Sequence, residues 1–197
     1  MTVVALDKNR TAIFSPIPLE EPAMTEIEAL GAPAYLIVPN RAHRLDIRPF
    51  AARYPSAKVL APKGGKAKVE EAVPVDTTSP KLGDRAEVIH VAGMDEVELA
   101  MLVRHEGGTS LIVNDVIGNV AHPQGLGARI MARLTGFGPR PSLPRIEKHL
   151  FLKDKAAFAD QLEAWAATPG LRRIIPSHGD IIDQPATVLR RLAASLR

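Results

Sequence analysis

The chain has 197 residues, 46% hydrophobic, 24% charged and only 4% aromatic, a balance suited to one sizeable core packed mostly with aliphatic side chains. No cysteine is present, which excludes disulfides, thiolate metal sites and a cysteine nucleophile. The 25 basic and 22 acidic residues leave a formal charge of +3, too little to indicate a nucleic-acid partner.

Met1 to Lys8 lacks the basic segment and apolar run of a secretory signal, and no stretch approaches the roughly 20 apolar residues needed to span a bilayer. A cytoplasmic location and no membrane partner are therefore expected. Thr11 to Phe14 reads as a short strand stopped by Ser15-Pro16. Pro22 to Leu30 reads as a helix with Met24, Ile27 and Leu30 on one side and Gly31 as its stop. Tyr35 to Val38 is a continuous apolar run, as in a strand buried on both faces, and Pro39-Asn40 ends it. From Asp46 the spacing of Ile47, Phe50, Ala51 and Tyr54 is helical, Pro55 closes the helix, and Lys58-Val59-Leu60 starts another strand.

Farther on, Glu87 to Val91, Val97 to Arg104 and Thr109 to Val113 read as three strands, the last two joined by the hairpin turn His105-Glu106-Gly107-Gly108. Gly125 to Leu134 has helical spacing, and Gly136 to Pro144 reads as loop. Asp154 to Ala167 is the clearest helix, with Phe158, Leu162 and Trp165 on one face. Arg172 to Ile175 reads as a strand, and Pro185 opens a final helix carrying Leu189, Leu192 and Leu196. Alternating strands and helices predict a layered α/β sheet structure. With no repeat and no linker, one domain over residues 1–197 is expected.

Three polar clusters each follow the end of an expected strand: Asn40 to Asp46, Asn114-Asp115, and Ser177-His178-Gly179. Loops converge and sites form at such ends. Imidazole and carboxylate are the ligands that zinc, iron or manganese accept where no thiolate is offered. Two histidines and an aspartate from distant segments suit an open site able to hold and acidify a water. Each residue also has a plain structural reading. A single histidine is more often a hydrogen-bonded surface residue, and Asp115 could be a turn former or helix cap. Yet an acid directly after the apolar run Leu111-Ile112-Val113 is costly unless it is paired or metal-bound. His90, His105 and His149 read as structural, whereas His122 lies in the loop after Asp115 and could reach the site. Arg129, Arg133, Arg140 and Arg145 share a stretch with no acid until Glu147. That stretch is either a solvated helix and loop or an anion-binding rim.

This order of segments, from about Thr11 to Asp180, resembles the metallo-β-lactamase superfamily, in particular a subfamily of unknown function. The likeness rests on Ser15-Pro16-Ile17, Pro39-Asn40-x-x-His43, Tyr54-Pro55-x-Ala57, the strand into Val91-Ala92-Gly93, Leu111 to Asp115 and His178-Gly179. It implies a four-layer αββα sandwich. The superfamily's usual first motif is His-x-His-x-Asp-His. Counted back from Tyr54-Pro55, His43 matches its last histidine, while Val38, Asn40 and Ala42 replace its first His, second His and Asp. Met94 stands where a Gly-His would supply another ligand. The resemblance thus implies a lost first metal site, and a second site reduced to His43, Asp115 and His178. Asp46, one helical turn beyond His43, could fill the gap left by Ala42.

Two functions follow from these expectations. The first is a hydrolase with one zinc, iron or manganese ion on His43, Asp115 and His178. Asp115 and His178 would take part in the chemistry on an ester, amide or phosphoester. Asn40, His122, Arg129, Arg133 and Arg140 would bind a small-molecule substrate, anionic if the arginines take part. The second is a non-catalytic domain that binds a ligand or partner with no metal.

Overall fold

In the computed structural model, residues 1–7, 9–121, 125, 127, 130, 136, 140–145 and 147–197 are described. They form two four-stranded sheets with flanking helices, and the chain divides into two compact units.

The first unit comprises Met1–His90 and Glu96–Leu99. It opens with β1 (Thr2–Ala5) antiparallel to β2 (Arg10–Phe14), with Val3 opposite Ile13. α1 (Glu21–Ala29) leads to β3 (Ala32–Ile37), parallel to β2, and α2 (Ile47–Arg53) leads to β4 (Lys58–Leu60), parallel to β3. The sheet order β1-β2-β3-β4 follows from these pairings. A short helix α3 (Lys66–Val69) and strand β5 (Ala86–His90) follow.

The helical spacing expected after Asp46 is used for packing. Ile47, Phe50 and Tyr54 enter a buried cluster with Ile13, Met24, Leu36, Val38 and Val59. Pro22 sits in the first turn of α1, where its missing N–H costs nothing. The outer faces of α1 and α2 are tied by Arg53, which donates to Glu21 Oε1 at 2.6 Å and to Glu28 Oε1 at 2.8 Å. Tyr54 donates its hydroxyl to the same Glu28 oxygen at 2.9 Å. These contacts hold both carboxyls below their ordinary range, chiefly through hydrogen bonding to Arg53. Burial first, and then Glu28, pushes the Tyr54 phenol up.

The second unit comprises Val91–Asp95 and Ala100–Arg197. Here β6 (Leu99–His105) and β7 (Gly108–Val113) form the expected hairpin, with Met101 opposite Ile112 and His105 opposite Gly108. β8 (Leu171–Pro176) lies parallel to β7. α4 (Lys155–Ala166) begins at Asp154, whose Oδ1 accepts from the Ala157 N–H at 2.9 Å as an N-cap. It buries Phe158, Leu162 and Trp165, and the final helix α5 (Pro185–Ala194) buries Leu189 and Leu192.

Three features differ from the sequence reading. Thr2–Ala5 is a strand, because pairing with β2 rather than any local pattern fixes it. His149, expected beside a strand-like run, lies in a π-helical turn over Glu147–Phe151. Ser142, within the expected loop 136–144, exchanges backbone hydrogen bonds with Gly118 at 3.0 Å each way. The expected helix Gly125–Leu134 falls mostly outside the described residues. Among the described residues, no helix is long and apolar enough to cross a membrane.

Candidate metal centre

In the first unit, β3 ends at Ile37, and the chain runs through Val38 and Pro39 into a tight turn at Asn40. Asn40 organises that turn. Its Oδ1 accepts from the backbone N–H of Ala42 at 2.9 Å and of His43 at 3.2 Å. Its Nδ2 donates to Glu98 Oε2 at 2.8 Å, and both residues are buried. The side chain thus builds the loop that carries His43. His43 sits in the short 3₁₀ turn Ala42–Arg44. Its Nδ1 is 2.8 Å from the Oγ of Ser15, just beyond β2. Asp46, the expected replacement for Ala42, lies exposed at the N-terminus of α2.

In the second unit, β7 delivers Asn114 and Asp115, and β8 delivers Ser177, His178 and Gly179. The two chain ends are laced together. Ser177 N–H donates to Val113 O at 3.0 Å, Asn119 N–H to His178 O at 3.0 Å, and Asp180 N–H to Asn119 O at 2.8 Å. The side chains at the head of this lacing meet. His178 Nε2 lies 2.9 Å from Asp115 Oδ1. The Asp115 side chain is mostly covered, at 16% exposure, while that of His178 is 43% exposed. The costly acid after an apolar strand is therefore paired.

Gly179 makes this approach possible. Its φ is +98°, and a Cβ there would lie 2.0 Å from the backbone oxygen of Asn119. No side chain fits. Asn114, fully buried, has no hydrogen-bond partner among the described residues for either its Oδ1 or its Nδ2. The sequence reading placed it beside Asp115 and gave it no role.

The residues at the expected first-metal positions serve other purposes. Val38 is part of the first unit's buried cluster. Met94, 1% exposed, lines a small apolar cavity in the second unit with Val116, Leu143, Leu152 and Phe158. Of the expected anion-binding arginines, Arg140 is exposed. His122, Arg129 and Arg133 lie outside the described residues.

No protein-family model and no curated relative matches this sequence. Solved structures do match its fold. DIM-1 metallo-β-lactamase is 16% identical with a TM-score of 0.61, covering 99% of this chain and 86% of that one. The metallo-β-lactamase from Pontibacter korlensis is 12% identical with a TM-score of 0.60, covering 98% and 85%. The metal-soaked Flv1 flavodiiron core from Synechocystis sp. PCC6803 is 15% identical with a TM-score of 0.61, covering 98% of this chain and 51% of that one. The fold is that of the metallo-β-lactamases, as the order of segments implied.

Proposed function

We propose that this chain is a hydrolase of metallo-β-lactamase fold that works with a single metal ion, held by His43, Asp115 and His178. Each of the three is half-buried within its own unit, His43 in the first and the paired Asp115 and His178 in the second. One observation carries the reading. The 2.9 Å between His178 Nε2 and Asp115 Oδ1 is close to the edge of a coordination shell. Two ligand atoms each about 2.1 Å from one ion at a tetrahedral angle lie about 3.4 Å apart, and less at narrower angles. A small opening of the pair turns a hydrogen bond into two ligands. The mixed imidazole and carboxylate set fits zinc, iron or manganese. The metal and metallo-β-lactamase names of the structural neighbours support the same reading.

When bound, such an ion supplies Lewis-acid activation of water at neutral pH. The chain's own residues then have defined tasks. His178 Nε2 and Asp115 Oδ1 are joined by one hydrogen bond, which must open for both atoms to become ligands. The backbone lacing between 113–119 and 177–180 fixes their separation before any ligand arrives. The substrate would be a small ester, amide or phosphoester. Arg129, Arg133 or Arg140 would meet an anionic group on it. A panel of chromogenic ester, lactam and phosphodiester substrates tests this. Turnover is expected with added zinc, iron or manganese, abolished by chelator and absent in Asp115→Ala. Turnover that persists in Asp115→Ala would count against the site.

A second reading has its own observation. Val38 and Met94 fill apolar interior where the resemblance implies first-metal ligands, and Asn40 is committed to its loop. A chain rebuilt so fully suits a domain that binds a ligand without cutting it. Unchanged ligand binding in His43→Ala and His178→Ala would favour this reading.

A further inference from the structure

We propose that Ser15 is a positioning residue that fixes the ring of His43 with its proton on Nδ1, so that Nε2 carries the lone pair a metal ion needs. The ligand role of His43 rests on the metal reading above; the hold of Ser15 on the ring does not. Ser15 is an unusual choice for its place. Its φ is +54°, in the left-handed region that favours glycine, and it is followed by Pro16. It is 3% exposed, and its N–H donates to Ile37 O at 2.9 Å, which locks it to the end of β3. Glycine would adopt this backbone with less strain. What serine adds is a hydroxyl, and that hydroxyl lies 2.8 Å from His43 Nδ1.

The backbone of His43 is held separately. Asn40 Oδ1 accepts from its N–H, and Asn40 is itself anchored by Glu98. Backbone and ring are therefore fixed by two different side chains. A serine hydroxyl can either donate or accept here, and the acceptor role is the one assigned: with Nδ1–H donating to the Ser15 oxygen, the tautomer and aim of Nε2 are set as a metal-ligating histidine requires. Neutral imidazole left to itself prefers the proton on Nε2, so the Ser15 contact must reverse an intrinsic preference. Strained backbone retained at such a point is the expected cost of preorganisation.

The test uses the metal-free full-length chain with ¹⁵N-labelled histidine, at a mildly alkaline pH where imidazoles are neutral. Heteronuclear correlation spectra of the wild type, Ser15→Ala and Ser15→Gly are compared, with His43 assigned by its loss in His43→Gln. The wild type should show the His43 proton on Nδ1, and both variants should shift it toward Nε2. Ser15→Gly relieves the positive φ while removing the hydroxyl, so it reports even if Ser15→Ala folds poorly. A wild-type proton on Nε2, or an Nδ1 proton kept in both variants, would overturn the proposal. Zinc titration of the same proteins adds a second readout, with binding about 10- to 100-fold weaker in both variants. Equal zinc affinity despite a lost tautomer would overturn the positioning role. Absence of zinc binding by the wild type would overturn the metal reading, while the spectra still decide whether Ser15 sets the tautomer.

Discussion

His178 Nε2 and Asp115 Oδ1 meet at 2.9 Å although they are 63 residues apart in the chain. Neither side chain creates that contact alone. It follows from the parallel pairing of β7 with β8, which places Val113 opposite Pro176, and from the turn at Gly179 beyond it. The polar pair is thus a product of strand register, and it is sensitive to changes that never touch it.

Gly179→Ala tests this dependence. The added methyl meets backbone rather than a movable side chain, and φ at +98° is unfavourable for alanine in any case. A loss of at least about 2 kcal/mol is expected from urea unfolding, together with loss of metal uptake. Unchanged stability would mean that the turn relaxes freely.

Truncation of the first unit's interior should cost more. Phe50 is 2% exposed within the cluster that joins α1, α2 and the sheet. Phe50→Ala is expected to lose about 3–5 kcal/mol in denaturant unfolding. A loss below about 1 kcal/mol would show that the site collapses around the smaller residue.

The pH dependence of stability should carry a contribution from Arg53. Hydrogen bonding to Arg53 holds Glu21 and Glu28 below the ordinary 4.5. Groups depressed on folding stabilise above their unfolded pKa, and this is lost as pH falls through the folded values. Arg53→Met should therefore be less stable than the wild type at neutral pH, with the difference closing as pH falls through the depressed values of Glu21 and Glu28. Both carboxylates are exposed, so the effect should be modest and shrink with salt. Thermal unfolding across pH reads it; a difference that persists in strong acid would contradict it.

The layered fold was legible because its central segments announce themselves. Tyr35 to Val38 is continuous and apolar, Ile47 to Tyr54 has helical spacing, and the hairpin at His105 to Gly108 has its turn residues. β1 was not legible, since four residues carry little pattern and its partner is chosen by tertiary pairing. Asp115 and His178 stood out as polar residues at strand ends, and the structure pairs them. The loop-building contacts of Asn40 were not legible, because spacing shows that an amide stands in a loop but not that it accepts from the loop's own N–H groups. Ser15 was visible only as part of a Ser-Pro strand stop and of the Ser15-Pro16-Ile17 motif behind the family resemblance. Its positive φ and its contact with His43 are three-dimensional facts with no local signal.

Metal stoichiometry tests the central claim most directly. Purified, tag-free protein incubated with zinc, iron or manganese and then desalted should retain close to one equivalent by elemental mass spectrometry. The His43→Ala/His178→Ala double variant should retain none while remaining folded by circular dichroism. Retention of no metal by the wild type, or of equal metal by the double variant, would contradict a single ion on His43, Asp115 and His178.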